Sequence, residues 1–472
     1  MCGVVGVYGV ENATELTIEM MKALQHRGQQ SSGCVLVGQQ NEVIYKRELG
    51  IILNLIQSLE TIQIPEKVMY GIGQLRYGTT GSRDKMENAQ PIYLQNDNYE
   101  IYLDHNGDTP LYKEMKSTLQ NQGVEFNTTS DTEIIAKFIS LSKEVDPIQA
   151  ILEGLSKYHG TYAITMLLKD KDGWRLLAAR DHSGNRPLML GRRDNDWLVA
   201  SEDVAFEAVG GVCINEIQPG ELLIISKNNL KTKIIPHDDV PSKQLHKCIF
   251  ENIYFSFPNS KTYGFEVRAF QEELGRIVAR KLRNLILNDD VITNIPDSSN
   301  IFMDGFSKEL CKFPTREIIR KHSYITRSFT EANQIKRNSV IRDKFSLSKS
   351  LVKGKRVWIT DDSIVRGNTS RKMIRAIKSH GATWVGMISS APPIIGQCRK
   401  GIDFEDELVA VNYLNWKKYE EFIDCIRKDI EADYLFYTTI EELHEALRMC
   451  KADPASFCYG CFTGKEPVFG AW

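Results

Sequence analysis

The 472-residue sequence lacks any apolar run of the roughly 18 residues that a membrane span needs, and its start lacks a basic stretch followed by a signal-type apolar core. A membrane-spanning or secreted protein is not expected, and the chain reads as cytoplasmic. It also lacks an excess of charge: 59 Lys and Arg stand against 61 Asp and Glu, a formal net charge of −2. That balance offers no broad basic field to nucleic acid or an anionic membrane, so any anion must be met by local loops. Cysteine is scarce, ten in all, too few for a disulfide scaffold of this length. In a reducing compartment such thiols serve as nucleophiles, metal ligands or buried apolar groups. Internal repeats and low-complexity tracts are absent too. What is present is an ordinary globular composition, 42% hydrophobic and 25% charged, enough for two or three cores at ~150 residues per domain.

From residue 2 to about 235, short β-rich runs prevail, as at 2–8, 162–168 and 221–225, with helical patterns at 13–26 and 132–143. Sheets packed with helices are the expectation. The proline-marked polar stretch Ile235–Ser242 separates this part from the rest. Beyond it, apolar runs at 291–295, 356–360 and 384–389 alternate with turns and helical stretches, the βαβ pattern of a parallel sheet. Two domains follow, residues 2–235 and 236–472.

Cys2 is chemically placed. Removal of Met1 would leave it a free α-amine, which titrates near neutrality and can act as base for its own thiol. On position alone, a buried thiol opening a strand is the commoner case. The surrounding residues carry more. Cys2-Gly3-Val4-Val5-Gly6, Gln25-His26-Arg27-Gly28-Gln29, Arg76-Tyr77-Gly78-Thr79, Asn88-Ala89-Gln90-Pro91, His105-Asn106-Gly107 and Ser130-Asp131-Thr132-Glu133 follow one another along the chain. This ordered set resembles the class-II glutamine amidotransferases, whose N-terminal-nucleophile domain, an αββα sandwich, hydrolyses glutamine to release ammonia. The resemblance implies Cys2 as nucleophile, Asn106 and the Gly107 amide as oxyanion donors, and Arg27, Arg76, Thr79 and Asp131 around glutamine. Arg76 and Asp131 suit the α-carboxylate and α-ammonium of that substrate, and an oxyanion needs donors aimed in advance. Singly, an Arg and an Asp are more often surface charges and Asn-Gly a hairpin turn; the ordered set carries the reading.

A second string runs from Val357 to Ser370. An apolar strand enters Asp361-Asp362, then a loop with Ser363, Gly367, Thr369 and Ser370 opens a helix. N–H groups at a helix start point at an anion, while hydroxyls and a flexible glycine admit a phosphate. Paired carboxylates suit ribose hydroxyls or Mg²⁺. An acid-capped βα turn is the plain alternative. The string resembles the phosphoribosyl-diphosphate (PRPP) fingerprint of type I phosphoribosyltransferases, which build a parallel-sheet domain. With the first set, almost the whole chain resembles the glutamine phosphoribosyldiphosphate amidotransferase family. Further similar segments are Arg180–Leu188, Ser201-Glu202, Cys248-Ile249-Phe250-Glu251, Tyr254-Phe255 and Ile295-Pro296-Asp297-Ser298. The resemblance implies formation of 5-phosphoribosylamine, glutamate and diphosphate from PRPP and glutamine, the first step of purine synthesis. It places PRPP on Asp361, Asp362, Ser363, Gly367, Thr369 and Ser370, with Mg²⁺ by Ser298, Asp361 and Asp362. It also implies purine-nucleotide feedback and a homo-oligomer.

Cys458-x-x-Cys461 alone could be a zinc half-site, a redox pair or neither. Some members of the resembled family hold a [4Fe-4S] cluster with such a pair plus two more cysteines, and Cys248 and Cys398 fill those places. Zinc on four thiolates is the chemical alternative. Cys34, Cys213, Cys311, Cys425 and Cys450 match no motif. Several positions depart from the family pattern: Gln74 for His, Gln30 for an acid, Gly78 for Ser, Asp108 for Asn, Asn368 for Thr, and Tyr324–Phe329 without Gly before Arg327. An Asp108 carboxylate turned toward the oxyanion would oppose its formation. The departures leave room for a second reading, a PRPP- or nucleotide-binding paralogue that has lost one or both reactions.

Overall fold

Strands buried on both faces organise the first half of the chain, alternate residues meeting a second sheet on one side and helices on the other. A computed structural model describes residues 1–9, 11–78, 84–227, 229–236, 245–321, 345–402, 408–414 and 418–465. The expectations for Thr79 and for the Tyr324–Phe329 loop lie outside these residues, as does most of the expected domain boundary. In chain order, the strands begin with β1 (Gly3–Tyr8), β2 (Ser31–Gly38), β3 (Val43–Leu49), β4 (Val68–Arg76), β5 (Ile92–Gln95) and β6 (Glu100–Asp108). Then come β7 (Thr161–Asp170), β8 (Gly173–Arg180), β9 (Met189–Arg193), β10 (Asp196–Ala200), β11 (Val212–Glu216), β12 (Glu221–Ser226) and β13 (Asn229–Ile234).

These strands form two antiparallel sheets, ordered β11-β9-β10-β1-β4-β2-β3 and β13-β12-β8-β7-β6-β5. Val4, Tyr8, Val35 and Ile72 of the first sheet meet Tyr102, Ala163, Leu167 and Leu176 of the second. The alternate residues point outward, as the strand period requires. Val5, Val7 and Leu36 lie under α1 (Ala13–Ala23) and α2 (Ile52–Leu59). Ile101, Leu103 and Met166 lie under α3 (Tyr112–Asn121), α4 (Thr132–Ser140) and α5 (Pro147–Ser156). The four layers are the αββα sandwich expected from the sequence.

The second half holds a parallel sheet, β14 (Val291–Asn294), β15 (Arg356–Asp361), β16 (Trp384–Ser389) and β17 (Tyr434–Tyr437), side by side in that order. On one face, α6 (Val267–Leu282), α7 (Asn300–Leu310) and a later helix, Ile440–Met449, contribute Phe270, Phe302, Phe306 and Leu447 to a core. On the other, α8 (Asn368–Ser379) and α9 (Tyr419–Asp429) contribute Met373, Ile374 and Ile426. Continuous apolar strands are what a sheet covered on both faces demands. Ligands of such sheets gather beyond the strands' carboxyl ends, where β14 and β15 deliver Ile295–Ser298 and Asp361-Asp362. No helix among the described residues is long and apolar enough to cross a membrane.

Candidate active sites

The start of β1 in one sheet meets the end of β6 in the other. The Cys2 N–H donates to Asn106 Oδ1 at 2.9 Å, and the Tyr77 N–H donates to Cys2 Sγ at 3.4 Å. Asn106 is fully buried and its Nδ2 has no hydrogen-bond partner among the described residues. A buried donor left unmatched costs about 1–3 kcal/mol, so its place beside a thiol calls for an acceptor. Gly107 lies opposite Tyr162, whose own N–H and C=O are taken by Asp181 at 3.2 and 2.9 Å. Gly107 and Tyr162 are thus a non-hydrogen-bonded pair, and the Gly107 amide is left free of the β7 ladder. Met1 is present, its side chain buried, with its α-amine pushed down to about 6 by burial.

Arg76 closes β4 and Asp131 precedes α4, both buried. Burial pushes the Asp131 carboxyl up to about 6, while the facing Arg76 charge pulls it back. Thr109 Oγ1 donates to Asp131 Oδ2 at 3.4 Å. His105 stands 3.9 Å from the same oxygen, kept neutral by burial, which lowers it to about 4. Its Nε2 meets the Thr161 carbonyl at 3.0 Å and its Nδ1 the Thr132 hydroxyl at 3.2 Å, so the tautomer protonated on Nε2 satisfies both. Asp108 Oδ1 accepts the Thr109 N–H at 2.9 Å, and Gln74 Nε2 donates across the sheets to the His105 carbonyl at 2.8 Å. Two of the departing residues are therefore built into the support of this end of the sandwich.

Arg27 corrects the sequence reading. It was expected beside glutamine, but its fully buried guanidinium is committed elsewhere. Nε donates to the Cys2 carbonyl at 3.0 Å, Nη1 and Nη2 donate to Glu251 at 3.1 and 2.9 Å, and Nη1 also reaches Glu202. A guanidinium out of water must be matched by carboxylates, and these two bind it in place. Glu202, Glu251 and Arg186 were visible only as parts of motifs with no role. The signal was a charge set within apolar neighbours, as in Cys248-Ile249-Phe250-Glu251, since such a charge buries only when paired.

In the second half, Ser298 Oγ donates to Asp361 Oδ1 at 2.7 Å, and Ser363 Oγ donates to Asp362 Oδ2 at 2.8 Å. Burial raises both carboxyls, Asp361 well above the usual range with the Asp362 charge adding to it. Adjacent hard oxygens under mutual repulsion are a donor set that suits Mg²⁺. Gly367, at φ +72°, turns the chain into α8, whose first turn carries an exposed Thr369 and a buried Ser370.

The Lys247–Cys248 and Phe457–Cys458 segments pair in parallel, with Cys248 opposite Cys458. Burial raises the Cys461 thiol well above its usual value, and Cys398, Cys248 and Cys458 each push it further. Cys248 and Cys461 lie in one buried core with the half-buried Cys398 packed against it, and an all-sulfur donor set is the chemistry an iron–sulfur cluster takes. No three His, Cys, Asp or Glu side chains among the described residues are drawn together as ligands of one ion.

Comparison with known proteins joins the two halves. The profile of the glutamine amidotransferase domain matches residues 79–208, and that of the phosphoribosyl transferase domain matches 266–404. The amidophosphoribosyltransferase of Archaeoglobus fulgidus is 34% identical over 474 residues, covering 99% of this chain and 98% of that protein. The Bacillus subtilis amidophosphoribosyltransferase is 34% identical over 473 residues, covering 99% and 94%. The chain belongs to the amidophosphoribosyltransferase family. Two solved structures agree with this membership. One, described as the allosteric regulatory enzyme of purine biosynthesis, superposes with a TM-score of 0.86 at 33% identity, covering 99% of this chain and 96% of its own. The other, glutamine PRPP amidotransferase from B. subtilis complexed with ADP and GMP, gives 0.85 at 33%, covering 99% and 97%.

Proposed function

We propose that this amidophosphoribosyltransferase-family chain converts PRPP, glutamine and water to 5-phosphoribosylamine, glutamate and diphosphate, the first step of purine synthesis. The observation that carries the reading is the unmatched Asn106 Nδ2 beside Cys2, a donor awaiting a transient oxyanion. With Met1 removed, the Cys2 nitrogen held by Asn106 Oδ1 becomes the amine that takes the thiol proton. The thiolate attacks the glutamine side-chain amide, ammonia leaves, and water cleaves the resulting γ-glutamyl thioester. Arg76 and Asp131 hold the substrate's α-carboxylate and α-ammonium. Ammonia then passes within the protein to C1 of the ribose of PRPP, which Asp361, Asp362, Ser363, Gly367, Thr369 and Ser370 hold, and displaces diphosphate.

Asp361 and Asp362, with Ser298 beside them, would hold Mg²⁺, and the ion would supply positive charge to offset that of diphosphate. Cys248, Cys398, Cys458 and Cys461 would hold a [4Fe-4S] cluster, which cross-links segments distant in sequence. The nucleotide complex of the B. subtilis relative supports purine-nucleotide feedback. A cytoplasmic homo-oligomer completes the reading. Cys2→Ala tests it: glutamine-dependent turnover is expected to vanish while turnover with ammonium salts continues. Survival of the glutamine-dependent rate would refute the nucleophile assignment. Anaerobic protein is expected to carry about four irons and four sulfides per chain.

A further inference from the structure

Arg27 holds the carbonyl of Cys2, the residue it serves. Its Nε donates to the Cys2 C=O at 3.0 Å, and the opposite edge of the guanidinium closes on both carboxylate oxygens of Glu251 at 2.9 and 3.1 Å. Glu251 belongs to the second half of the chain, 224 residues away, in the turn Glu251–Phe255. That carboxylate is itself pinned. Ser256 Oγ donates to Oε2 at 3.1 Å, and Arg186 Nη1 lies 3.4 Å from Oε1 while Nη2 of the same guanidinium reaches the Lys400 carbonyl. The side chains of Arg27, Arg186, Glu202 and Glu251 are all fully buried.

A bidentate pair out of water has one geometry, since tilting either plane breaks two charge-assisted bonds at once. Fixing Glu251 therefore fixes the Arg27 plane, and the Arg27 plane fixes the peptide that follows the Cys2 side chain. Asn106 Oδ1 holds the other side of Cys2 through its nitrogen. We infer that Arg27 and Glu251 are positioning residues for the glutaminase step, with the second domain setting the orientation of the nucleophile in the first. The inference rests on Cys2 being the nucleophile, the reading proposed above. Cys248, three residues before Glu251, places the proposed cluster one turn from this anchor.

Arg27→Lys keeps the charge but loses the planar fork. Glu251→Gln keeps the shape, loses the charge, and serves if the first variant does not fold. In either, kcat for glutamine hydrolysis is expected to fall about 10- to 100-fold from misplacement of the nucleophile, with KM for glutamine shifting less than about threefold. The rate with ammonium salts, which bypasses Cys2, is expected to stay within about twofold of the parent. An unchanged glutamine kcat overturns the inference, and so does a parallel fall of the ammonium rate, which a general structural defect would produce. A second readout needs no turnover: alkylation of Cys2 by iodoacetamide, followed by peptide mass spectrometry against the exposed Cys213. Cys2 is expected to react at least about fivefold more slowly in the variants. Equal rates overturn the positioning role, whereas a parent protein without either turnover overturns the proposed function instead.

Discussion

Asn106 holds Cys2 with one half of its amide: Oδ1 accepts the Cys2 N–H at 2.9 Å, and the buried Nδ2 has no partner among the described residues. In the proposed reaction, one side chain thereby ties the position of the nucleophile to that of an oxyanion donor. Asn106→Asp separates the two duties, keeping the acceptor and removing the donor. Its glutamine-dependent kcat is expected to fall about 10²- to 10³-fold, the usual cost of one oxyanion donor. Steady-state rates with glutamine and with ammonium salts check this, since only the former should respond.

Asp131 supplies a pH dependence of known sign. Burial raises its carboxyl to about 6 against the pull of Arg76, and only the ionised form attracts an α-ammonium. As pH falls through about 6, KM for glutamine is expected to climb, while the ammonium-driven rate follows its own profile. Asp131→Asn should show a high KM at every pH. A parent KM that stays flat between pH 5 and 7, as measured by initial rates, would contradict the assignment.

The parts of this site that sequence made legible are those carried by short contiguous strings. Cys2-Gly3, Asn106-Gly107 and Asp361-Asp362 lie at strand ends, where local turn chemistry and strand period set both place and direction. The apolar runs at 291–295, 356–360 and 384–389 became parallel neighbours because each lacks the polar alternation of a half-exposed strand. Arg27 failed the same test. Its partners Glu202 and Glu251 lie 175 and 224 residues downstream, and an ion pair between distant elements leaves no periodic trace. Read beside Gln25-His26 and Gly28-Gln29, it looked like a ligand for substrate; only the packing of the two halves shows that its charge is already spent.

Asp104 lies two residues before Asn106 on the same face of β6, fully buried, and neither carboxylate oxygen has a hydrogen-bond partner among the described residues. Thr165, opposite it in β7, also has an unmatched hydroxyl. Burial pushes the Asp104 carboxyl well above its usual value. The folded state thus favours the neutral acid, while the unfolded chain ionises near 3.9. Its contribution is full below that value and is lost as pH rises toward the folded value. Asp104→Asn is therefore expected to raise the melting temperature at pH 7, by about 2–4 °C per kcal/mol in a domain of 150–250 residues. The gain should shrink toward pH 4. Calorimetric scans at the two pH values check the sign, and an equal gain at both would exclude ionisation as its source.

Gly401 joins the loop after Cys398 to the end of β6. Its φ is +102°, and a methyl group there would stand 3.0 Å from the Gly107 carbonyl and 2.8 Å from Arg186 Nη2. Alanine must then hold a left-handed backbone, at a cost of about 1–2 kcal/mol, or press on the peptide next to the N–H proposed as an oxyanion donor. Gly107 cannot retreat freely, because its own Cα lies against the Thr161 carbonyl and the His105 ring. Displacement by a few tenths of an ångström weakens a donor aimed at a transient charge more than it weakens packing. Gly401→Ala is accordingly expected to lower the glutamine-dependent kcat by about tenfold and leave the ammonium-dependent rate within about twofold. If both rates fall together in the same assay, the strain is being absorbed by the phosphoribosyl half, and the contact with Gly107 does not govern the glutamine site.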